Sequence, residues 1–86
     1  MEIKKKVLLR SIAGETLLIP VEETVAEYNG IFTLTPTAKL IFQTISDGGD
    51  ENDAVNALCG EFDVDRQTAA EDVRDFIESL RSYGIV

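Results

Sequence analysis

The chain has no histidine and no tryptophan, one cysteine and two prolines in 86 residues. Without histidine it lacks the commonest general base near neutral pH and the commonest metal ligand. A lone cysteine, Cys59, permits no intrachain disulfide, so nothing demands an oxidising compartment. Long apolar runs are absent as well. Behind Lys4, Lys5 and Lys6 stand only Val7, Leu8 and Leu9 before Arg10, too short for the apolar region of a signal peptide. Nothing approaches a membrane span. A cytoplasmic location without membrane contact is expected. Positive charge is the minority sign, with 8 Lys and Arg against 16 Asp and Glu and a net charge of −8.

The length fits one domain over residues 1–86, and a hydrophobic content of 44% fits a folded globule rather than a disordered segment. The charge is unevenly spread. Acids and bases balance over residues 1–46, whereas residues 47–86 carry 11 acids against Arg66, Arg74 and Arg81. Such a half repels phosphate backbones. It suits a cationic or neutral partner, or simply keeps the domain soluble.

Residues 7–13 and 15–21 read as two strands rich in Val, Ile and Leu, with Ala13-Gly14 as a tight turn between them. Pro20 cannot donate to a ladder and fits a strand end. The stretch "EETVAEYNG", residues 22–30, reads as a loop or a helical turn. A short third strand follows over 31–34. Its side chains alternate, with Ile31 and Thr33 on one face and Phe32 and Leu34 on the other, the latter pair favoured for the core.

Three helices come next. Thr35 is a competent N-cap and Pro36 fits the first helical position, where its missing N–H costs nothing. Ala38, Ile41, Phe42 and Ile45 then recur on one face until Gly48-Gly49, giving a helix over about 36–47. Asp50 and Asp53 suit the start of a second helix, about 51–63, with Val55, Leu58, Cys59 and Phe62 on its inner face. Asp65 opens a third, about 66–83, with Ala69, Val73, Phe76, Ile77 and Leu80 inward and a Schellman closure at Gly84-Ile85. Strands followed by helices imply an α+β fold, a three-stranded antiparallel sheet and three helices, like a winged helix-turn-helix.

Catalytic chemistry is not visible in this pattern. Cys59 sits on an apolar helix face and reads as a core thiol. The acids at 47, 50, 51 and 53 miss the calcium-loop spacing, because the position that needs a bidentate Glu holds Leu58. Gly48-Gly49 lacks the Lys-Ser/Thr of a phosphate loop. Ser79 lies too near the end of its helix for a carrier-protein serine. No enzyme activity, cofactor or metal is expected. A winged-helix regulator would read nucleic acid with the third helix, but Glu71, Asp72, Asp75 and Glu78 outnumber Arg66, Arg74 and Arg81 there, the wrong sign for phosphates. A regulator that binds nucleic acid or protein is the alternative to a peptide-binding module.

The segments "LLRSIAGETLLIPV", "FTLTPTAKLIFQTISDG" and "DVDRQTAAEDVRDFIESLRSYGIV", in that order and spacing, resemble the PqqD family, named for a small protein of pyrroloquinoline quinone biosynthesis. The resemblance runs over residues 7–86. One departure is Leu34-Thr35, where the family usually has Leu-Asn before its first helix. The resemblance implies a peptide chaperone, or precursor-peptide recognition element. Such a protein binds the leader of a ribosomally made peptide and presents it to a modifying enzyme, often a radical SAM enzyme. It implies that the leader adds as a strand beside strand 3, in a groove walled by helix 3. The residues implied are Ile31, Phe32, Thr33 and Leu34 on the strand and Asp72, Val73, Arg74, Asp75, Phe76 and Ile77 on the helix.

Overall fold

The computed structural model describes residues 3, 7–20 and 32–86. Three strands, β1 (Val7–Ile12), β2 (Glu15–Pro20) and β3 (Phe32–Leu34), are followed by three helices, α1 (Pro36–Ser46), α2 (Glu51–Glu61) and α3 (Arg66–Ser82). The strands form one antiparallel sheet in the order β1-β2-β3. This is the expected α+β architecture.

The β1–β2 turn fixes the register of the sheet. Ala13 and Gly14 have φ of 52° and 82°, both left-handed, as a two-residue hairpin with right-handed strand twist requires. Ile12 pairs with Glu15 across it. The residues flanking such a turn exchange both backbone bonds, and bonded and non-bonded pairs then alternate. Arg10↔Leu17 is therefore a bonded pair, and Leu17 turns its N–H and C=O toward β1. Thr16 and Leu18 turn theirs toward β3, opposite Leu34 and Phe32. Pro20 falls at a non-bonded pair with Val7, so its missing N–H removes no bond to β1.

Each helix is capped by the residue that precedes it. The Thr35 hydroxyl accepts from the Ala38 N–H at 3.2 Å. Asp50 and Asp53 form a reciprocal capping box, each carboxylate accepting from the other's backbone N–H at 2.9 and 3.0 Å. Asp65 accepts from the Thr68 N–H at 2.7 Å. At the far end of α3, Ile85 N–H donates to Leu80 O and Gly84 N–H to Arg81 O, a Schellman closure with Gly84 at φ 74°. The α1–α2 corner is tight. Gly49 N–H donates to Thr44 O, and a Cβ at Gly49 would lie 2.9 Å from that same oxygen and 3.1 Å from Asp53 Cβ.

One core joins sheet and helices. Leu18 from the central strand and Leu34 from β3 meet Ile41 and Ile45 of α1, Leu58 of α2, and Val73, Ile77 and Leu80 of α3. Burying each such side chain stabilises the fold by roughly 1.5–3 kcal/mol. The N-terminal Ile3 packs against the same cluster from outside.

Several details differ from the sequence reading. Cys59 is only half-buried, at the margin of the core rather than in it. The inner position belongs to its neighbour Leu58, which is 0% exposed, with Ala54 one turn earlier. Successive helical residues are rotated by about 100°, and here Leu58 takes the inward direction while Cys59 turns to the margin. Phe76 is likewise half-buried, beside the buried stripe of Val73, Ile77 and Leu80. The second helix ends at Glu61 and not near 63, because Phe62 is already extended with ψ 152°. Lys4 to Lys6, the "EETVAEYNG" stretch, Val21 and Ile31 lie outside the described residues.

Candidate functional site

Because β2 is central, β3 has an outer side that pairs with no strand among the described residues. The parity derived above assigns it. Phe32 and Leu34 direct their backbone groups to β2, so Thr33 directs its N–H and C=O outward. Its side chain is exposed, whereas Leu34 on the opposite face is 6% exposed and belongs to the core.

Past Leu34 the chain enters α1 at once, and this places the first turn of α1 at the end of β3. A groove of about 420 Å³ lies there. One wall is the start of α1, with Thr35, Thr37, Ala38 and Ile41; the other is α3, with Asp72, Asp75, Phe76 and Ser79. The four α3 residues follow the spacing i, i+3, i+4, i+7, one stripe of the helix. That stripe adjoins the one formed by Val73, Ile77 and Leu80, which faces the core. Ile41 at 1% exposure and the half-buried Ala38 and Phe76 give an apolar floor. Hydroxyls and carboxylates form the rim. Ser79 is tied to its own helix, its hydroxyl donating to Asp75 O at 3.1 Å. The Thr35 and Thr37 hydroxyls lie 3.1 Å apart.

Of the residues singled out by resemblance, Thr33 stands on the free edge and Asp72, Asp75 and Phe76 line the groove. Val73 and Ile77 are each 1% exposed and face the core, so they support the groove wall from behind. Arg74 is exposed and is not among the lining residues. Phe32 and Leu34 hold β3 to β2 through their backbones. Sequence reasoning missed Thr35, Thr37, Ala38, Ile41 and Ser79. The direct step from strand to helix at Thr35-Pro36 was the available signal, because it forces the first helical turn to sit at the end of β3.

A second groove, larger at about 560 Å³, lies at the opposite edge, between Val7 and Leu9 of β1 and the later turns of α1. Volume does not decide between them. Its aromatic lining residue, Phe42, is 5% exposed and already spent on the core, and its α1 side is Gln43, Thr44, Ser46 and Asp47. Phe76 in the smaller groove is accessible. Among the described residues no group of three or more His, Cys, Asp or Glu is placed to hold a metal ion, and no helix is long and apolar enough to cross a membrane.

A three-stranded sheet whose β3 edge pairs with no strand among the described residues, together with a helix-walled groove, defines a small α+β module of the winged-helix type, with a surface suited to an extended peptide. The chain belongs to the PqqD family: the family model for coenzyme PQQ synthesis protein D matches residues 12–86. Two solved structures share the fold closely. One is TbiB1 in complex with the TbiA(beta) leader peptide, 27% identical, with a TM-score of 0.77, covering 99% of this chain and 93% of that one. The other is a lasso peptide synthetase B1 complexed with the leader peptide, 23% identical, with a TM-score of 0.76, covering 98% of this chain and 93% of that one. No curated protein gives a significant match.

Proposed function

We propose that this protein binds the leader segment of a ribosomally made precursor peptide as an added strand on β3 and presents it to a modifying enzyme. The observation that carries the reading is an edge at Thr33 that pairs with no strand among the described residues, two residues before Thr35, which lines an apolar-floored groove against α3. An exposed edge offers backbone bonds for affinity, and a flanking groove offers pockets for alternate side chains. TbiB1, similar in fold and sequence over nearly the whole chain, is complexed with a leader peptide. Binding requires no catalytic group in the domain itself; the chemistry belongs to the partner. The family resemblance argues for a radical SAM enzyme in that role. Thr33, Asp72, Asp75 and Phe76 are the contact residues in this reading, joined by Ile31, which lies outside the described residues; Leu34, Val73 and Ile77 are the frame beneath them, Phe32 holds β3 to β2 through its backbone, and Arg74 stands at the outer margin.

The test uses a fluorescent leader from a precursor peptide encoded beside this protein's gene. Anisotropy titration should give saturable binding to the wild type and a loss for Thr33→Pro, while circular dichroism shows the variant folded. Unchanged binding by a folded Thr33→Pro would remove strand addition at β3. Co-purification with the neighbouring modifying enzyme, with and without the leader, decides the presentation role.

A further inference from the structure

Strand addition dictates where the side chains of the bound peptide go. The peptide residue that exchanges backbone bonds with Thr33 points to the same exposed face as Thr33. Its two neighbours point to the helix side, into the groove. There they meet two chemistries. The floor is apolar, through Ala38, Ile41 and Phe76. The α3 rim is acidic, because Asp72 and Asp75, both exposed, stand together beside Phe76 on the side away from the core stripe. No Lys or Arg is among the described lining residues.

The spacing is also suitable. Asp72 lies one helical turn from Phe76, about 6 Å along the axis. Alternate residues of a strand are about 6.6–6.8 Å apart. Laid along α3, two successive helix-side residues of an added peptide match the step from Phe76 to Asp72. Asp72 and Asp75 are also like charges at i, i+3, a mild repulsion that a cation between them relieves.

We infer that the peptide taken up at β3 carries a Lys or Arg two residues from a large apolar residue, the apolar side chain seated on Phe76 and the cation held at Asp72 and Asp75. This rests on the strand-addition reading and adds the chemistry that selects among peptides.

A phage-displayed library of random peptides, panned at low salt against the wild type and against Asp72→Lys/Asp75→Lys, tests it. The wild type should enrich a basic residue two positions from an aromatic or long aliphatic one, and the charge-reversed protein should enrich an acid at that position. Enriched peptides are then titrated against three further variants. Asp72→Asn/Asp75→Asn should weaken them about 3- to 10-fold, the order for two exposed ion pairs, and the loss should shrink with added salt. Glu61→Gln/Asp63→Asn removes the same charge outside the groove and should change affinity less than about 2-fold, because screened distant charges act weakly. Thr33→Pro should abolish binding. Equal effects of the two neutralising pairs, or no charge preference in the enriched sequences, overturn the inference. If Thr33→Pro abolishes binding and Asp72→Asn/Asp75→Asn leaves it unchanged, strand addition stands and the cation does not. If Thr33→Pro leaves binding intact, or nothing is enriched, both readings fall.

Discussion

Among the described residues the sheet has two outer edges, and a groove against α1 lies at each: one lined by Val7 and Leu9 of β1, the other starting at Thr35, next after β3. The β1 edge is the longer, with six residues against three, and its groove is the larger. By length and volume it is the better docking surface. What separates the two is the second helix. At β3 the groove has α1 on one side and α3 on the other, and α3 supplies an accessible aromatic and two carboxylates. At β1 only α1 lines the described wall, with its aromatic already buried. A short edge with two walls can read side chains; a long edge with one wall can mostly offer backbone.

Proline substitution breaks the comparison most sharply. Leu34→Pro cuts a bond to Thr16 and removes a buried side chain, so we expect a loss of about 3 kcal/mol or more in urea unfolding. Thr33→Pro, one residue away, should stay within about 1 kcal/mol of wild type because its N–H serves no strand among the described residues. It should nevertheless weaken leader binding by about tenfold or more, since a peptide carbonyl is left unpaired. The matching position on the other edge is Ser11, which also turns its backbone outward by the alternation of the hairpin. Ser11→Pro should leave both stability and leader binding near wild type; if it abolishes binding, the two edges have been assigned the wrong way round.

Smaller changes sharpen the contrast. Thr35→Ala removes the cap at the mouth of the β3 groove and should cost about 1 kcal/mol in thermal or urea unfolding, while Thr35→Asn should retain the cap. At the start of α3, hydrogen bonds from the Thr68 backbone and side chain hold the Asp65 carboxyl below its ordinary pKa of 3.8. A group whose pKa is lowered by folding stabilises the fold above the unfolded value and stops doing so as pH falls through the folded one. The stability difference between wild type and Asp65→Asn should therefore be full at neutral pH and shrink on acidification below about pH 4. Melting curves over that range check it. The smallest effect is a gain. Ala13 holds a left-handed φ of 52° next to Gly14, and Ala13→Asn creates the turn pair that such hairpins prefer. We expect about 0.5–1 kcal/mol of added stability and no change in leader binding.

The architecture was legible because each boundary carries its own local signal. Thr35-Pro36, Asp50 with Asp53, Asp65 and Gly84-Ile85 are all caps whose side chains or backbone bond within a few residues, and all form. The candidate site was legible only in part. An i, i+3, i+4 pattern identifies an apolar face but not its rim, so Phe76 read as core when it stands half outside. Cys59 failed for the same reason, with Leu58 taking the inner place. The parity of β3 was not readable either. It depends on the register carried from the Ala13-Gly14 turn through β2, a relation between residues far apart in the chain.

The corner at Gly49 sets how such a surface can vary. Backbone touches backbone there, with no room for even one added carbon against Thr44 and Asp53. Any side chain at that point would act as a wedge between α1 and α2, and α1 is one wall of the groove. The width of the groove is thus a property of the frame, fixed at a joint remote from the ligand. In the proposed reading its preferences reside in exposed side chains such as Asp72 and Asp75, which can be exchanged one at a time without moving the frame. For an engineer this divides the labour: new leader preferences can be sought on the α3 stripe and the first turn of α1, while residues 48–50 are left as they are.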